Sequence, residues 1–376
     1  MDIGRVVENR IRRDLDKKYV FLSGPRQVGK STVAKHLARR FKSSQLFNWD
    51  DLRQQRVIAR AEWDREADLV VLDEVHKYRK WRQLLKGIYD TEGVRPRILV
   101  TGSARLDVFR HGGDSMAGRY FPMTLMPFTL RELAPKNPGE TLRQLLRFGG
   151  FPEPFLSQSD RAAARWRLSY FERVLREDVR DLSRMTDISG LNLLIESLRE
   201  TVGSTVNYSN LAADLHTNAM QVKRWIEMLE SLYVIFLVRP WHQNVRNAIR
   251  KQPKAYFYDT GCVEGKDPDA ARLENLTALS LWTRVQYSRT MEGKDAGLHY
   301  LRDKQGHEVD FLLTDRRKPK LLIEVKSTRA KIGRGLNYFR ERLSVPAVQI
   351  VLNLNQPQSV RGVRVLPAAT FLAQIP

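Results

Sequence analysis

The 376-residue chain carries 64 Lys and Arg residues against 43 Asp and Glu residues, which gives a formal net charge of +21. Its 42% hydrophobic and 28% charged residues, with glycine and proline dispersed along the chain, exclude a disordered or collagen-like protein and predict two or three folded domains. The basic charge predicts a polyanionic partner, either nucleic acid or an anionic membrane face, and a basic surface that serves only solubility is the alternative.

The N-terminal residues predict a basic amphipathic helix and lack the apolar core of a secretory signal. The longest apolar run, at 232–238, is much shorter than the roughly 20 residues of a membrane span, so we expect no membrane segment. The single cysteine, Cys262, can form neither an intrachain disulfide nor a Cys-based zinc cluster. Together these features predict a cytoplasmic protein.

Residues 19 to 130 alternate short apolar runs with helical patterns, which is typical of a parallel sheet flanked by helices. The runs predicted as strands are nearly all apolar, as expected of strands buried on both faces, and lie at 19–22, 46–49, 69–72 and 98–101. A linker is predicted at 134–140, and a helical pattern, broken at 149–155, extends from 142 to about 230. The later predicted strands are 255–258, 298–302, 309–313, 321–325 and 348–352.

The segment after the first predicted strand fits GxxxxGK[ST] and opens a predicted helix. Glycines let such a loop approach a triphosphate with its N–H groups pointing inward, and the helix N-terminus adds the positive end of its dipole. Lys30 is expected to reach the β- and γ-phosphates of ATP, and Ser31 to ligate Mg²⁺. The predicted nucleotide-binding residues are Gly24, Pro25, Arg26, Gln27, Val28, Gly29, Lys30, Ser31 and Thr32.

Two adjacent carboxylates end the apolar strand at 69–72, in the form of a Walker B element. Asp73 is expected to hold Mg²⁺ at the carboxyl end of this strand, where the ligands of open α/β sheets gather. Glu74 is then the candidate base that orients the attacking water.

The strand at 98–101 ends in hydroxyl residues, at the place where AAA-type ATPases have a sensor of the γ-phosphate. Ser103 is the preferred candidate for this sensor, and Thr101 is the second. Arg119 follows a glycine-rich turn and is a candidate arginine finger, which would stabilise transition-state charge from a neighbouring subunit. An ordinary surface ion pair is the alternative for Arg119.

Several short motifs carry a resemblance to a known family. They are DEVHK at 73–77, Trp81, LLKGIYD at 84–90, TGS at 101–103, MAGR at 116–119 and GGFPEP at 149–154. With them the chain, over nearly its whole length, resembles a family of prokaryotic AAA-superfamily ATPases whose C-terminal domain of unknown function has a restriction-endonuclease-like core. The resemblance implies the roles given above for the phosphate loop, the two Walker B carboxylates and Arg119. His76 departs from it, since a glutamine is more usual at this position.

Residues 206–229 predict a helix-turn-helix, with Ser209 capping its first helix and Thr217 its second. Because residues 232–240 look like a wing strand, the region predicts a winged helix. The core face of the second helix is expected to consist of Met220, Trp225, Met228 and Leu229. The outward side chains, which are DNA-contact candidates, are Asn218, Gln221 and Arg224. A lid or oligomer contact with a solvated polar face is the alternative.

Residues 307–326 predict a β-hairpin that turns at 315–319. If the hairpin is symmetric about Arg317, Asp310 lies opposite Glu324 and Glu308 lies opposite Lys326. The second pair fits a routine cross-strand ion pair, whereas two opposed carboxylates repel each other unless a positive charge lies between them.

A divalent cation is the natural candidate for that charge, with Lys326 beside it to stabilise a scissile phosphate. This pattern is the D…ExK arrangement of the restriction-endonuclease-like fold, and Glu274 matches the extra acidic residue of many such nucleases. The possible second metal site is therefore Glu274, Asp310 and Glu324 with Lys326. DNA binding without cleavage and a purely structural role are the alternatives.

The sequence thus predicts an α/β protein in three parts: an AAA-type P-loop ATPase domain at 1–133, a helical lid and winged-helix region at 141–250, and a restriction-endonuclease-like α/β domain at 251–376. The leading functional prediction is an oligomeric ATPase, with ATP and Mg²⁺ at subunit boundaries of a ring, that binds DNA and translocates on it or remodels it, possibly branched DNA. The alternatives are an ATP-gated, metal-dependent nuclease of defence or repair and a nucleotide-switched scaffold that binds a protein partner.

Overall fold

The computed structural model describes residues 3–102, 116–178, 187–242, 251–328 and 331–375. The chain forms two compact units. The first comprises Met1–Met126 with Ser231–Tyr233, and the second comprises Pro127–Glu230 with Val234–Pro376.

Among the described residues, the first unit contains a five-stranded parallel sheet in the order β2-β3-β4-β1-β5. Its strands are β1 (Tyr19–Ser23), β2 (Ser44–Asn48), β3 (Leu69–Asp73), β4 (Arg97–Thr101) and β5 (Tyr120–Thr124). Its helices are α1 (Val7–Asp14), α2 (Lys30–Ala38), α3 (Leu52–Arg60) and α4 (Trp81–Glu92).

The predictions of β1 to β4 are confirmed to within two residues at each end. All of β1 and nearly all of β3 and β4 are buried, because helices cover a parallel sheet on both faces. The sequence does not predict β5, which contains Pro122 and lies at the edge of the sheet, where a missing N–H donor is tolerated. With all strands parallel, the residues that follow β1, β3 and β4 share the carboxyl edge of the sheet.

The second unit begins with helices and continues into an α/β region. The helices are α5 (Leu130–Leu133), α6 (Pro138–Phe148), α7 (Pro152–Ser157), α8 (Asp160–Arg173), α9 (Ile188–Glu200), α10 (Tyr208–Asp214), α11 (Ala219–Ser231), α12 (Pro268–Met291), α13 (Arg334–Leu343) and α14 (Ala368–Gln374). The strands are β6 (Ile235–Pro240), β7 (Lys254–Phe257), β8 (Ala296–Arg302), β9 (Glu308–Asp315), β10 (Lys318–Lys326), β11 (Ala347–Val351), β12 (Gln358–Val360) and β13 (Val363–Pro367).

These described strands form one mixed sheet in the order β12-β13-β11-β10-β9-β8-β6-β7. Both the region expected at 141–250 and the region expected from 251 onwards contribute strands to it, since β6 pairs with β7 and β8. The segment predicted as a wing is therefore a strand of the large sheet. The long helix α12 packs against β7, β8 and β10.

Of two local predictions for this unit, the linker is wrong and the helix break is confirmed. The sequence predicts a linker at 134–140, but the side chain of Asn137 accepts a hydrogen bond from the backbone N–H of Glu140 and begins α6 at Pro138. Proline is favoured in the first turn of a helix, where its missing N–H has no partner to lose. The predicted break at 149–155 is confirmed, because α6 ends at Phe148 and α7 begins at Pro152.

None of the helices in the described part of the chain combines the length and the apolar character that crossing a bilayer requires.

Candidate functional site

The loop between β1 and α2 is shaped by two glycines. Gly24 has φ +141°, and a Cβ atom built on it would lie 2.3 Å from the carbonyl oxygen of Leu125, so no other residue fits this backbone unchanged. Gly29 has φ +101° and immediately precedes the first residue of α2. The predicted phosphate loop therefore stands between a buried strand and a helix N-terminus, which is the geometry that binds phosphate.

Lys30 folds back over this loop. Its side chain is buried, and Nζ donates hydrogen bonds to the carbonyl oxygens of Gly24 at 2.9 Å and Pro25 at 2.6 Å. The ammonium group is thus held against the loop at the amino end of α2, where it adds to the positive end of the helix dipole.

Asp73 ends β3 and joins two hydroxyl groups from different elements. Its Oδ2 accepts a hydrogen bond from Ser31 Oγ at 2.8 Å, and its Oδ1 accepts one from Thr101 Oγ1 at 2.5 Å. This contact exists because β4, which ends at Thr101, lies between β3 and the phosphate-loop strand β1. The structure thus brings together the two predicted Mg²⁺ ligands, a hydroxyl and a carboxylate oxygen, which are the hard donors that Mg²⁺ prefers.

Glu74 lies beside this group in a left-handed conformation, with φ +56°. Its backbone N–H donates to the carbonyl oxygen of Thr101 at 2.9 Å, which fixes the turn after β3 to the end of β4. Burial raises the pKa of the Glu74 carboxyl, and the Lys77 ammonium, 3.5 Å from Oε2, opposes that rise.

The two predicted sensor residues have different outcomes. Ser103 lies outside the described residues, so its prediction stays open. Thr101 is fully buried at the carboxyl end of β4, and its hydroxyl contacts Asp73. The signal for Thr101 was present in the sequence, since a hydroxyl ended an apolar strand next to the Walker B strand.

Arg119 lies far from the phosphate loop of its own chain. Its carbonyl oxygen accepts a hydrogen bond from the N–H of Tyr19, the first residue of β1, whereas the loop follows the last residue of β1. A five-residue strand separates these two edges by about 17 Å. The guanidinium instead forms a bidentate ion pair with Asp90, at 2.6 and 3.0 Å. The backbone of Arg119 and the phosphate loop therefore lie at opposite edges of the sheet.

The sequence gives no sign of a further residue that contacts the phosphate loop. Arg5 is buried, and its guanidinium donates to the carbonyl oxygen of Val28 at 3.0 Å and to that of Met126. Glu8 accepts from the Arg5 backbone N–H at 3.0 Å and forms an ion pair with Arg40 of the region after α2 at 3.1 Å. Arg5, which precedes α1, thereby contacts the phosphate loop, and Glu8 of α1 connects Arg5 to the region after α2.

Comparison with known proteins identifies this region. Residues 16–134 match the family model described as an AAA domain. The N-terminal part of the chain is an AAA-type P-loop ATPase domain. Such a domain binds a nucleoside triphosphate, usually together with Mg²⁺. Residues 139–265 and 271–371 match two models described as domains of unknown function, DUF8612 and DUF4143.

Two relatives align with most of the chain. The uncharacterized protein Rv2008c of Mycobacterium tuberculosis is 24% identical over 312 residues, which cover 77% of this chain and 69% of that protein. The uncharacterized protein MJ1637 of Methanocaldococcus jannaschii is 23% identical over 374 residues, covering 82% and 75% of the two chains.

Two solved structures resemble parts of the chain. The Walker-type ATPase of Pyrococcus abyssi is 14% identical with a TM-score of 0.42, covering 74% of this chain and 95% of its own. The Holliday junction branch migration motor RuvB of Thermotoga maritima is 18% identical with a TM-score of 0.31, covering 62% and 89%.

The second unit contains a group of charged side chains that we call the carboxylate cluster. Its members are Lys254, Glu274, Glu308, Asp310, Glu324 and Lys326. In the β9–β10 hairpin Leu312 pairs with Leu322 and Phe311 with Ile323, and the same register places Asp310 opposite Glu324. The predicted register is confirmed for the pairs from Leu321 to Ile323, whereas it is shifted by one residue nearer the turn, at Pro319.

The ion pairs of the carboxylate cluster differ from the prediction. Lys326 pairs with Glu324 of its own strand, with 2.9 Å between Nζ and Oε1, and not with Glu308. Glu308 instead accepts from the buried Lys254 Nζ at 2.7 Å. The sequence does not indicate Lys254, because β7 joins this group only through the order of strands in the large sheet.

Electrostatics in the carboxylate cluster are dominated by burial. Burial raises the pKa of Asp310 and of Glu324, and it raises the pKa of Glu274 to about 7. Burial opposes the charge of Lys254, but the surrounding carboxylates outweigh it and raise the pKa of Lys254. Within the described part of the chain, no three His, Cys, Asp or Glu side chains are arranged to hold a metal ion together.

The predicted pair of helices exists as α10 and α11, but two details differ. Asn207, not Ser209, caps α10, and the side chain of Asn218, not Thr217, accepts from the N–H of Gln221 at the start of α11. Met220 is 60% exposed. The buried face of α11 consists of Val222, Trp225, Ile226 and Leu229.

The three DNA-contact candidates lie toward the outside of the second unit. Asn218 and Arg224 are exposed, and Gln221 is partly exposed. Lys223 is also exposed and lies 3.8 Å from Glu227 of the next turn. The first two turns of α11 therefore present a polar and basic surface.

Proposed function

We propose that the protein is a DNA-binding ATPase that uses ATP hydrolysis to move along DNA or to remodel it, as an oligomer with ATP at subunit boundaries. The hydrolytic half of this proposal rests on one observation above all, the carboxylate of Asp73 joined to the hydroxyls of Ser31 and Thr101, with Glu74 beside it.

Each residue of the nucleotide site has a separate role in ATP hydrolysis, which follows from its position. Lys30 binds the β- and γ-phosphates from the loop, and Ser31 and Asp73 provide the oxygen ligands for Mg²⁺. Bound Mg²⁺ supplies neutralisation of phosphate charge. Glu74 orients the attacking water and accepts its proton, since it is the carboxylate next to the phosphate loop that is not engaged by the two hydroxyls.

The DNA half is supported by the surface of α11 and by charge. In helix-turn-helix proteins the N-terminal residues of the second helix meet base edges and phosphates. Asn218, Gln221 and Arg224 occupy these positions, and the net charge of +21 favours binding to a polyanion.

Assembly is supported by the place of Arg119 at the amino edge of the sheet. Because it lies about a strand length from its own phosphate loop, a finger role requires a second subunit to present it.

The test measures ATPase rate in low salt with duplex, single-stranded and junction DNA. We expect DNA to stimulate the rate, Lys30→Ala to abolish it, and Glu74→Gln to bind ATP and DNA without turnover. Arg224→Ala should weaken stimulation while basal hydrolysis persists, and Lys266→Ala, which removes an exposed lysine elsewhere, should not. An unchanged rate with all three DNA forms contradicts the proposal and favours a scaffold for a protein partner.

A second candidate function is metal-dependent DNA cleavage at the carboxylate cluster, favoured by the opposition of Asp310 and Glu324. A cation there would take its remaining ligands from a phosphate and water, since two carboxylates alone do not complete its coordination. Cleavage in Mg²⁺ or Mn²⁺ that is lost in Asp310→Asn and retained in Lys30→Ala supports this function. Intact DNA with the wild-type protein in both metals argues against it.

A further inference from the structure

We propose that Lys77 is a positioning residue for ATP hydrolysis, which fixes the carboxylate of Glu74 and is itself fixed by Asp50. This inference rests on the proposed role of Glu74. It adds a connection between that carboxylate and the segment that follows β2, on the far side of β3 from the phosphate-loop strand.

The three side chains form a short chain of contacts. Lys77 Nζ lies 2.6 Å from each carboxylate oxygen of Asp50 and 3.5 Å from Oε2 of Glu74. The bidentate contact leaves the ammonium little freedom on the Asp50 side. Its remaining interaction is directed at Glu74, so the position of Asp50 sets the position from which Lys77 attracts that carboxylate.

The backbones that carry Lys77 and Asp50 are also joined. Trp49 N–H donates to the carbonyl oxygen of Asp73 at 3.0 Å, and the Trp49 ring stacks on Tyr78, with 4.7 Å between ring centroids and 22° between the planes. Lys77 N–H donates to the carbonyl oxygen of Glu74 at 3.1 Å within a single 3₁₀ turn. The segments after β2 and β3 are therefore joined by a backbone hydrogen bond and by stacked rings.

A purely structural role for the ion pair is the less favoured explanation. The Lys77 side chain is 30% exposed and that of Asp50 is 53% exposed, and ion pairs with this much solvent contact add little to folding stability. His76 Nε2 lies 3.6 Å from the same oxygen of Glu74, but its side chain is only 1% exposed, and Lys77 is the neighbour that also contacts Asp50. Lys77 is thus the partner of Glu74 that responds to Asp50.

The experiment compares steady-state ATP hydrolysis without DNA in Lys77→Met, Lys77→Arg and Asp50→Asn. Displacement of the base slows hydrolysis but does not weaken nucleotide binding. We therefore expect kcat to fall by about 10- to 100-fold in Lys77→Met, with KM changed by less than about twofold. Lys77→Arg should recover most of kcat because it keeps the charge, and Asp50→Asn should lower kcat by a smaller factor. Lys80→Met, an exposed lysine three residues further on, serves as the matched control and should keep the wild-type kcat.

Three results would overturn the inference. They are an unchanged kcat in Lys77→Met, a rise in KM as large as the loss of kcat, and a fall in melting temperature that Lys77→Arg shares together with the loss of activity. The Glu74→Gln variant distinguishes failure of this inference from failure of the proposed function. If Glu74→Gln still hydrolyses ATP, the role of Glu74 is wrong, whereas loss in Glu74→Gln with full activity in Lys77→Met removes only the role of Lys77.

Discussion

Gly24 shows how one missing side chain sets the form of the phosphate loop. Its φ of +141° is accessible mainly to glycine, and the carbonyl oxygen of Leu125 occupies the place of a Cβ. Leu125 follows β5, and its N–H donates to the carbonyl oxygen of Ser23 at 2.8 Å. The residue after β5, a strand that the sequence does not predict, thus contacts the phosphate loop, which is the most clearly predicted motif.

Gly24→Ala should lower the free energy of unfolding of the AAA domain by about 1–3 kcal/mol, because the methyl group forces the loop away from Leu125. It should also weaken ATP binding, since the loop N–H groups shift with the backbone. Thermal unfolding and fluorescent nucleotide titration measure both effects.

Gly87→Ala is the matched control for that substitution. Gly87 is an exposed residue of α4, and a Cβ atom there meets no atom within 4 Å. We expect a gain of about 0.5–1 kcal/mol from the lower entropy of the unfolded chain. A Gly24→Ala protein as stable as Gly87→Ala would show that the loop has room for a side chain.

Helix ends show where local patterns mislead. Ser209 and Thr217 are both good capping residues by type, but Asn207 and Asn218 supply the capping oxygens of α10 and α11. Two capping residues within three positions make the exact start of a helix undecidable from sequence, because the choice depends on how the preceding backbone arrives.

Asn207→Ala should therefore lower the free energy of unfolding of the second unit by about 1 kcal/mol, since two backbone N–H groups lose their acceptor. Ser209→Ala should change it by less than about 0.5 kcal/mol. Urea unfolding of the two variants measures this difference. Equal losses of unfolding free energy would contradict the assignment of Asn207 as the capping residue.

The carboxyl end of α12 predicts a pH dependence of stability. Hydrogen bonds from Arg284 and Lys294 lower the pKa of Glu292 to about 2, from an ordinary value of 4.5. A pKa that is lower in the folded state than in the unfolded chain stabilises the folded state at pH values above the unfolded pKa. This stabilisation disappears as the pH falls from about 4.5 toward 2. Glu292→Gln should be less stable than wild type at pH 7, and the difference should shrink between pH 5 and pH 3. Urea unfolding across this range tests it, and a constant difference contradicts the pairing.

At the scale of the whole molecule, the proposed oligomer makes a prediction about mixtures of two variants. Arg119→Ala and Lys30→Ala should each lose ATPase activity, by about 10³-fold for a finger residue. Mixing the two variants should restore part of the activity, because a subunit with an intact Arg119 can then face a subunit with an intact Lys30.

Asp90→Asn controls for the ion pair that holds Arg119. A partly exposed pair contributes little to stability, so this variant should keep most of its activity. If Asp90→Asn is as inactive as Arg119→Ala, or if mixing restores nothing, Arg119 serves its own chain and the shared site is wrong.

Much of the AAA domain follows from local sequence. The four strands β1 to β4, the loop at Gly24 to Lys30 and the carboxylates after β3 are predictable because buried parallel strands are continuous apolar runs and phosphate loops have a fixed spacing. The hairpin that opposes Asp310 and Glu324 is predictable for a similar reason, since its turn is short and its period is two.

Only the tertiary structure decided the partners of these residues. Thr101 meets Asp73 because β4 inserts between β1 and β3, Glu308 meets Lys254 because β7 joins the sheet through β6, and Lys77 meets Asp50 because β2 lies beside β3. Residues far apart in the chain become neighbours through strand order. Strand order is set by how helices and sheets pack over the whole unit, which no local pattern of apolar and polar residues encodes.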